Sequence, residues 1–334
     1  MAKVTIQPSG QTFEVRPSQT VLEAAIEAGI NIPYGCRNGA CGSCKGKVIS
    51  GKVMHDDYQG SAMTDAELEE GHALFCSARP LEDLVIETRE VTGASGIKPR
   101  ILPARVTKKE MLAPDVIGLH LQLPSSERLQ FMPGQYIEFL LKDGKRRAFS
   151  IANAPHVAFG LELHLRLVKG GEFTEYVFNA LQEKAILRLE APFGSFYLRE
   201  DSDKPIIFAA TGTGFAPIKG IIEHMLYHDI QRPMTLYWGG RQPADLYMDA
   251  LCKRWAEHVP SFTYVPVLSK PEPDWDGRTG YVQEAITEDI ADLSGHEAYV
   301  CGLPDMVDDA QKQFATHGLD QESFFSDAFT FAPK

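Results

Sequence analysis

Long apolar runs are missing from this chain. The longest, such as Pro205-Ile206-Ile207-Phe208-Ala209-Ala210, fall far short of the roughly 20 residues a bilayer-spanning helix needs, so no membrane association is expected. Positive charge is also short: 33 Lys and Arg stand against 45 Asp and Glu, a formal net charge of −12. Nucleic acids and anionic membranes are met by basic faces, so neither is an expected partner. Met1-Ala2-Lys3-Val4-Thr5-Ile6 has no apolar segment after its single Lys, which argues against a secretory signal and makes the cytoplasm the expected location. Cysteine is scarce, and four of the six cluster early; metal ligation in a reducing compartment explains that better than a disulfide scaffold. Internal repeats and low-complexity segments are absent too.

What is present suffices for real cores: 44% of residues are hydrophobic and 23% charged. At 334 residues the chain exceeds what one core usually supports, so two or three domains are expected. Residues 1–90 begin with short alternating strands, Val4 to Gln7 and Thr12 to Val15, then a capping-box helix start at Thr20-Val21-Leu22-Glu23 that Gly29 stops. A Cys-rich loop, a strand over Lys47 to Val53, a second capping box at Thr64-Asp65-Ala66-Glu67 and a strand over Leu84 to Thr88 complete a compact α+β unit. The small, proline-ended stretch 91–99 reads as a linker. From 100 to about 200 strand follows strand, including the alternating Leu161 to Leu167, which predicts an antiparallel barrel. From 203 to 334 strands alternate with helices, at Ile206 to Ala210, Met234 to Trp238, Phe262 to Leu268 and Ala298 to Cys301, which predicts a doubly wound parallel sheet.

Cys36, Cys41 and Cys44 have the spacing Cys-x4-Cys-x2-Cys, and Cys76 stands well downstream, the arrangement of plant-type [2Fe-2S] centres. Gly35, Gly39 and Gly42 suit such a loop, because residues without Cβ take positive φ and let backbone N–H groups approach sulfur. A four-cysteine zinc site or two disulfides are the alternatives. The stretch Tyr34 to Cys44 closely resembles the plant-type ferredoxin family, which implies a β-grasp fold over residues 1–90.

Arg147-Ala148-Phe149-Ser150 ends a barrel strand, and Gly170-Gly171-Glu172-Phe173-Thr174 opens a helix some twenty residues later. Together they suit a flavin: Arg for its pyrophosphate, an aromatic beside it, a hydroxyl near its ring, and helix N–H groups for phosphate. Leu165, Leu167 and Val168, on the strand between them, complete the expected flavin contacts with Gly170, Gly171 and Thr174. The bland reading makes Phe149 core and the glycines a plain turn.

Thr211-Gly212-Thr213-Gly214-Phe215-Ala216-Pro217 follows a buried strand and starts a helix, where a dinucleotide pyrophosphate can sit; the third Gly of the full fingerprint is absent. Gly239 and Arg241 after the next strand, and Cys301, Gly302, Pro304 and Met306 after a later one, lie at carboxyl strand ends, where ligands bind. The order of barrel and nucleotide domain resembles the ferredoxin–NADP reductase superfamily, whose Arg-x-aromatic-Ser motif matches Arg147, Phe149 and Ser150. That resemblance implies FAD in the barrel, Cys301 against the nicotinamide, Asp327 near the flavin, and Phe329 in preference to Phe325 as its aromatic cover. Ser150, Cys301, Asp327 and Phe329 are thus the expected catalytic residues. No further basic residue follows Arg241 until Lys253, so NADH is favoured over NADPH.

The resemblance implies hydride transfer from NAD(P)H to FAD, then single electrons through the cluster to an acceptor protein, most simply as the reductase component of an oxygenase. A CDP-6-deoxy-glucoseen reductase, feeding a dehydratase of deoxysugar synthesis, is the second reading. A non-catalytic electron-storage or binding module is the third. An exposed rim at Arg37 and Asn38 is expected to meet the acceptor.

Overall fold

The structure, a computed structural model, describes residues 1–91, 96–157 and 160–330. Two of the nine linker positions are tied at its described flanks: the Val91 amide donates to the Asn31 carbonyl at 2.8 Å and Lys98 Nζ to the Glu27 carbonyl at 2.9 Å. Linker residues 92–95 lie outside those described.

The first unit runs β1 (Ala2–Gln7), β2 (Thr12–Val15), α1 (Val21–Ala28), β3 (Lys45–Ser50), β4 (Val53–His55), α2 (Asp65–Glu69), β5 (His72–Leu74), β6 (Ala78–Pro80) and β7 (Leu84–Glu87). Its sheet has the order β2-β1-β7-β3-β5, with α1 laid across it. Both capping boxes form, Thr20 with Glu23 and Thr64 with Glu67, and Gly29 ends α1 in the left-handed conformation. The single strand expected over Lys47 to Val53 is instead two, β3 and β4. Gly51, at φ +94, breaks it, because its backbone lies against the Asp83 carbonyl where no Cβ fits.

The second unit comprises β8 (Arg100–Ala113), β9 (Val116–Gln122), β10 (Tyr136–Leu140), β11 (Arg146–Ser150), β12 (Gly160–Arg166), α3 (Glu172–Asn179) and β13 (Ile186–Phe193). The strands pair antiparallel in the order β11-β10-β13-β8-β9-β12, and a bridge between Ile151 and Leu163 joins the two ends into a barrel. Leu161, Leu163 and Leu165 alternate into its core, as period-2 patterning demands.

The third unit is β14 (Ile206–Thr211), α4 (Phe215–Tyr227), β15 (Met234–Gly240), α5 (Asp249–His258), β16 (Phe262–Leu268), β17 (Arg278–Thr279), α6 (Val282–Asp289), β18 (Glu297–Gly302), α7 (Pro304–Thr316) and β19 (Phe324–Ala328). Its parallel sheet has the order β17-β16-β15-β14-β18-β19. The segment read from sequence as a C-terminal tail is therefore the sixth strand, β19, with Cys301 opposite Asp327. The three sheets bear out the expected combination of a mixed α+β unit, an antiparallel barrel and a doubly wound α/β unit.

Candidate redox site

The cysteine loop runs between α1 and β3. Gly39 and Gly42 take φ near +73° and +74° as expected, whereas Gly35 serves by lack of bulk: a Cβ there would lie 3.3 Å from Cys41 Sγ and 3.6 Å from Asp327 Oδ1. All six cysteines are free thiols in this structure. The four expected ligands form two pairs, Cys36 hydrogen-bonded with Cys41 and Cys44 with Cys76. Among the described residues no three His, Cys, Asp or Glu side chains converge on one metal position. Two thiol pairs fit two irons with two thiolates each, rather than one tetrahedral zinc. Backbone amides already point at sulfur: Cys36 N to Cys41 Sγ at 3.3 Å, Gly39 N to Cys76 Sγ at 3.3 Å, Ala40 N to Cys36 Sγ and Cys76 N to Cys44 Sγ each at 3.4 Å. The hydrogen bond from Cys36 lowers the Cys41 thiol to about 6, and the one from Cys44 lowers Cys76.

Arg37 and Asn38 do not form the exposed rim expected of them. Arg37 turns into the barrel, with Nη1 3.0 Å from Glu138 Oε2, and Asn38 Oδ1 is buried without a partner. A charge in a loop reads as solvated when its partner is a hundred residues away.

Beside Gly35 stands Asp327, wholly enclosed. Burial first, and then the charge of Cys41, push its carboxyl up to about 7, against a hydrogen bond from Ser150 that lowers it. Ser150 ends β11, Cys301 lies opposite Asp327 on β18, and burial followed by the Asp327 charge drives the Cys301 thiol far up. Three of the four expected catalytic residues therefore come together at one point between barrel, nucleotide sheet and cysteine loop. Of the two terminal aromatics, Phe325 is an anchor, its ring centroid 4.8 Å from that of Tyr299 and 4.5 Å from Arg199 Cζ. Phe329 is only partly buried, and its amide donates to the Gly302 carbonyl at 2.8 Å.

On the barrel, Arg147 is half-buried, Ala148 exposed, and Phe149 tilts against Phe139 and Phe173 at 5.9 and 5.6 Å, sharing the core as the bland reading held. Leu165 puts its side chain wholly into the barrel core, so only its backbone is left to meet a cofactor; Leu167 and Val168 are half-buried. Gly170 takes φ +75, Gly171 caps α3, and Thr174 Oγ1 accepts from the Val168 amide at 3.1 Å.

In the nucleotide sheet, Gly212-Thr213-Gly214 makes a tight turn into α4, with Pro217 in its first turn. Gly214 and Gly302 have a packing reason of their own: a Cβ on Gly214 would strike the Cys301 carbonyl, and one on Gly302 would strike Thr211 Oγ1. Pro304 opens α7, while Met306 turns into the core. Gly239 packs between Val282 and Thr211; Arg241 is 69% exposed beside Asp245, whose carboxylate accepts from the Arg241 amide at 2.8 Å.

Two features escaped the sequence. Arg166 on β12 brings its guanidinium to the Gly212 turn, 3.0 Å from where a Gly212 Cβ would stand; its Nε lies 3.3 Å from Asp115 Oδ2, and its Nη2 is buried without a hydrogen-bond partner. A guanidinium with an unpaired Nη2 beside a helix-start turn can serve as an anion site. Lys219 on α4 is buried at the barrel, with Nζ 2.9 Å from Glu162 Oε2, 2.7 Å from Glu223 Oε1 and 3.0 Å from the Ala152 carbonyl.

Comparison with known proteins divides the chain in the same way. Residues 4–81 match the 2Fe-2S iron-sulfur cluster binding domain, 103–197 the oxidoreductase FAD-binding domain and 208–312 the oxidoreductase NAD-binding domain. The chain is 38% identical, over 98% of its own length and 98% of the relative's, to a CDP-6-deoxy-L-threo-D-glycero-4-hexulose-3-dehydrase reductase of Yersinia pestis. It is 33% identical, over 99% and 98%, to reductase component 1 of a terephthalate 1,2-dioxygenase of Comamonas sp.. Among solved structures, the Amycolatopsis cytochrome P450 reductase GcoB superposes with a TM-score of 0.83 at 34% identity, covering 98% of this chain and 99% of that one.

Proposed function

Since this chain belongs to the family of NAD(P)H-dependent flavoprotein reductases that join 2Fe-2S, FAD-binding and NAD-binding domains, we propose that it drives an oxygenase component, delivering NADH-derived electrons singly through the cluster. The carrying observation is the single point at which Ser150, Asp327 and Gly35 meet, which brings hydride chemistry and cysteine loop together. Bound FAD and cluster would supply the conversion of a two-electron hydride into single electrons. The chain's own part is placement. Arg147, Ala148, Phe149, Ser150 and the 165–174 segment hold the flavin, with Arg147 on its pyrophosphate and Ser150 near its ring. Thr211 to Gly214, Pro217, Gly239, Arg241, Gly302, Pro304 and Met306 would hold the nucleotide, with Cys301 on the nicotinamide side, and Phe329 would cover the flavin. Cys36, Cys41, Cys44 and Cys76 bind the cluster. Residues 1–90, 100–200 and 203–334 act as the three units, in the cytoplasm; among the described residues no helix is long and apolar enough to cross a membrane.

A second reading, electron supply to a deoxysugar dehydratase, is favoured by the 38% identity to the Yersinia reductase. Reconstitution decides between them. Purified protein with NADH and an iron-containing oxygenase should give coupled product formation; turnover only with a dehydratase component moves the assignment to the second reading, and turnover with neither removes both.

A further inference from the structure

Arg37 lies in the cysteine loop next to Cys36, at φ +62, a conformation that costs a residue bearing a side chain and persists only where its surroundings demand it. The demand comes from another unit. Its Nη1 donates to Glu138 Oε2 at 3.0 Å, and its Cζ sits 4.2 Å over the Phe193 ring. The two side chains are 19% and 7% exposed. Glu138 is held from the other side by Arg146 Nη1 at 2.9 Å, and Arg146 also reaches Glu190.

β10 carries Glu138 and, two residues earlier, Tyr136, whose hydroxyl donates to the Gly35 carbonyl at 2.8 Å. That strand pairs in register with β11: Tyr136 opposite Ser150, Glu138 opposite Ala148. The loop that bears three cysteines is therefore clamped to the neighbour of the strand that bears the flavin motif. Desolvating an ion pair rarely yields much net stability, so a buried one is better explained by the arrangement it selects. A guanidinium suits the place because it can pair with a carboxylate and stack on a ring at once, as an ammonium cannot.

We propose that Arg37 is a positioning residue for electron transfer: clamped by Glu138 and Phe193, it holds the cysteine loop against the flavin-binding strands and so sets the rate at which the cluster is reduced. The inference rests on reading the four cysteines as cluster ligands and β11 as the flavin strand.

The test uses the full-length holoprotein and the variants Arg37→Ala, Arg37→Lys and Glu138→Gln, each first assayed for iron, acid-labile sulfide and flavin. Stopped-flow mixing with NADH should show flavin bleaching at the wild-type rate in all three. Cluster reduction should slow about tenfold or more in Arg37→Ala and Glu138→Gln, the scale that small displacements of reacting groups produce, with partial recovery in Arg37→Lys. Hydrogen exchange at residues 34–38 and 136–139 should quicken in parallel, a readout independent of turnover. Wild-type cluster reduction with wild-type exchange in Glu138→Gln overturns the proposal, as does equal slowing of flavin and cluster. Should Arg37→Ala not load its cluster, Glu138→Gln, outside the cysteine loop, still decides. A full cluster in Cys41→Ser would instead refute the underlying ligand assignment.

Discussion

Lys219 Nζ lies 2.9 Å from Glu162 Oε2 across the seam between barrel and nucleotide sheet, with side-chain exposures of 5% and 16%. The pair continues to His164, whose Nε2 is 2.9 Å from Glu162 Oε1 and whose Nδ1 is 3.0 Å from the Tyr247 hydroxyl. Removing the cation leaves the largely buried Glu162 carboxylate with His164 as its side-chain partner and without its counter-charge. Lys219→Met should lower unfolding stability by about 3–5 kcal/mol, read from urea melts of the holoprotein; a loss under 1 kcal/mol would show that the seam does not depend on the pair.

The same network predicts an acid limb. Burial alone would raise the Glu162 carboxyl, but the His164 hydrogen bond and the Lys219 charge outweigh it and hold it at about 2, below its ordinary 4.5. A depressed carboxylate contributes stability in full above its unfolded value and loses it as pH falls toward the folded one. Between pH 4.5 and 2 this group should therefore cost the fold about 3 kcal/mol, a slope that Glu162→Gln flattens.

Arg166→Ala should weaken NADH binding about 10- to 100-fold, the worth of a charge-assisted hydrogen bond to phosphate. The concentration dependence of flavin bleaching measures it, and flavin content should be unchanged. An unaltered half-saturation would remove Arg166 from the nucleotide site.

Arg241, exposed and leaning on Asp245, is the residue placed to meet a 2′-phosphate. With NADH as the working donor, Arg241→Ala should leave kcat/KM for NADH within about twofold while that for NADPH falls further. Equal losses for both donors would show that the side chain does not discriminate.

Cys41→Ser should keep flavin bleaching by NADH and abolish cluster reduction. Equal loss of both would contradict a relay in which the cluster stands after the flavin.

Local signals were legible in the sequence. The Cys-x4-Cys-x2-Cys loop, the capping boxes at Thr20 and Thr64 and the alternation from Leu161 to Leu165 each depend on neighbours a few residues away, and each is in place. What escaped depends on partners far along the chain. Arg37, Arg166 and Lys219 are long cations that composition assigns to solvent, and their settings are made by Glu138, by Asp115 with the Gly212 turn, and by Glu162. β19 escaped because Phe324-Phe325-Ser326-Asp327-Ala328 has no clean alternation; its strand character comes from β18 beside it. Asp327 entered only through resemblance, and its contact with Gly35 was beyond any local pattern.

The nearness of Asp327 to Gly35 bears on how the protein is made. Synthesis runs from the amino end and early units fold first, so the cysteine loop leaves the ribosome long before β19 exists. During that interval the side of the loop that later faces Asp327 is uncovered. The cysteine loop therefore gains its neighbour from the third unit only once β19 has formed, so that its final surroundings depend on the strand furthest from it in sequence.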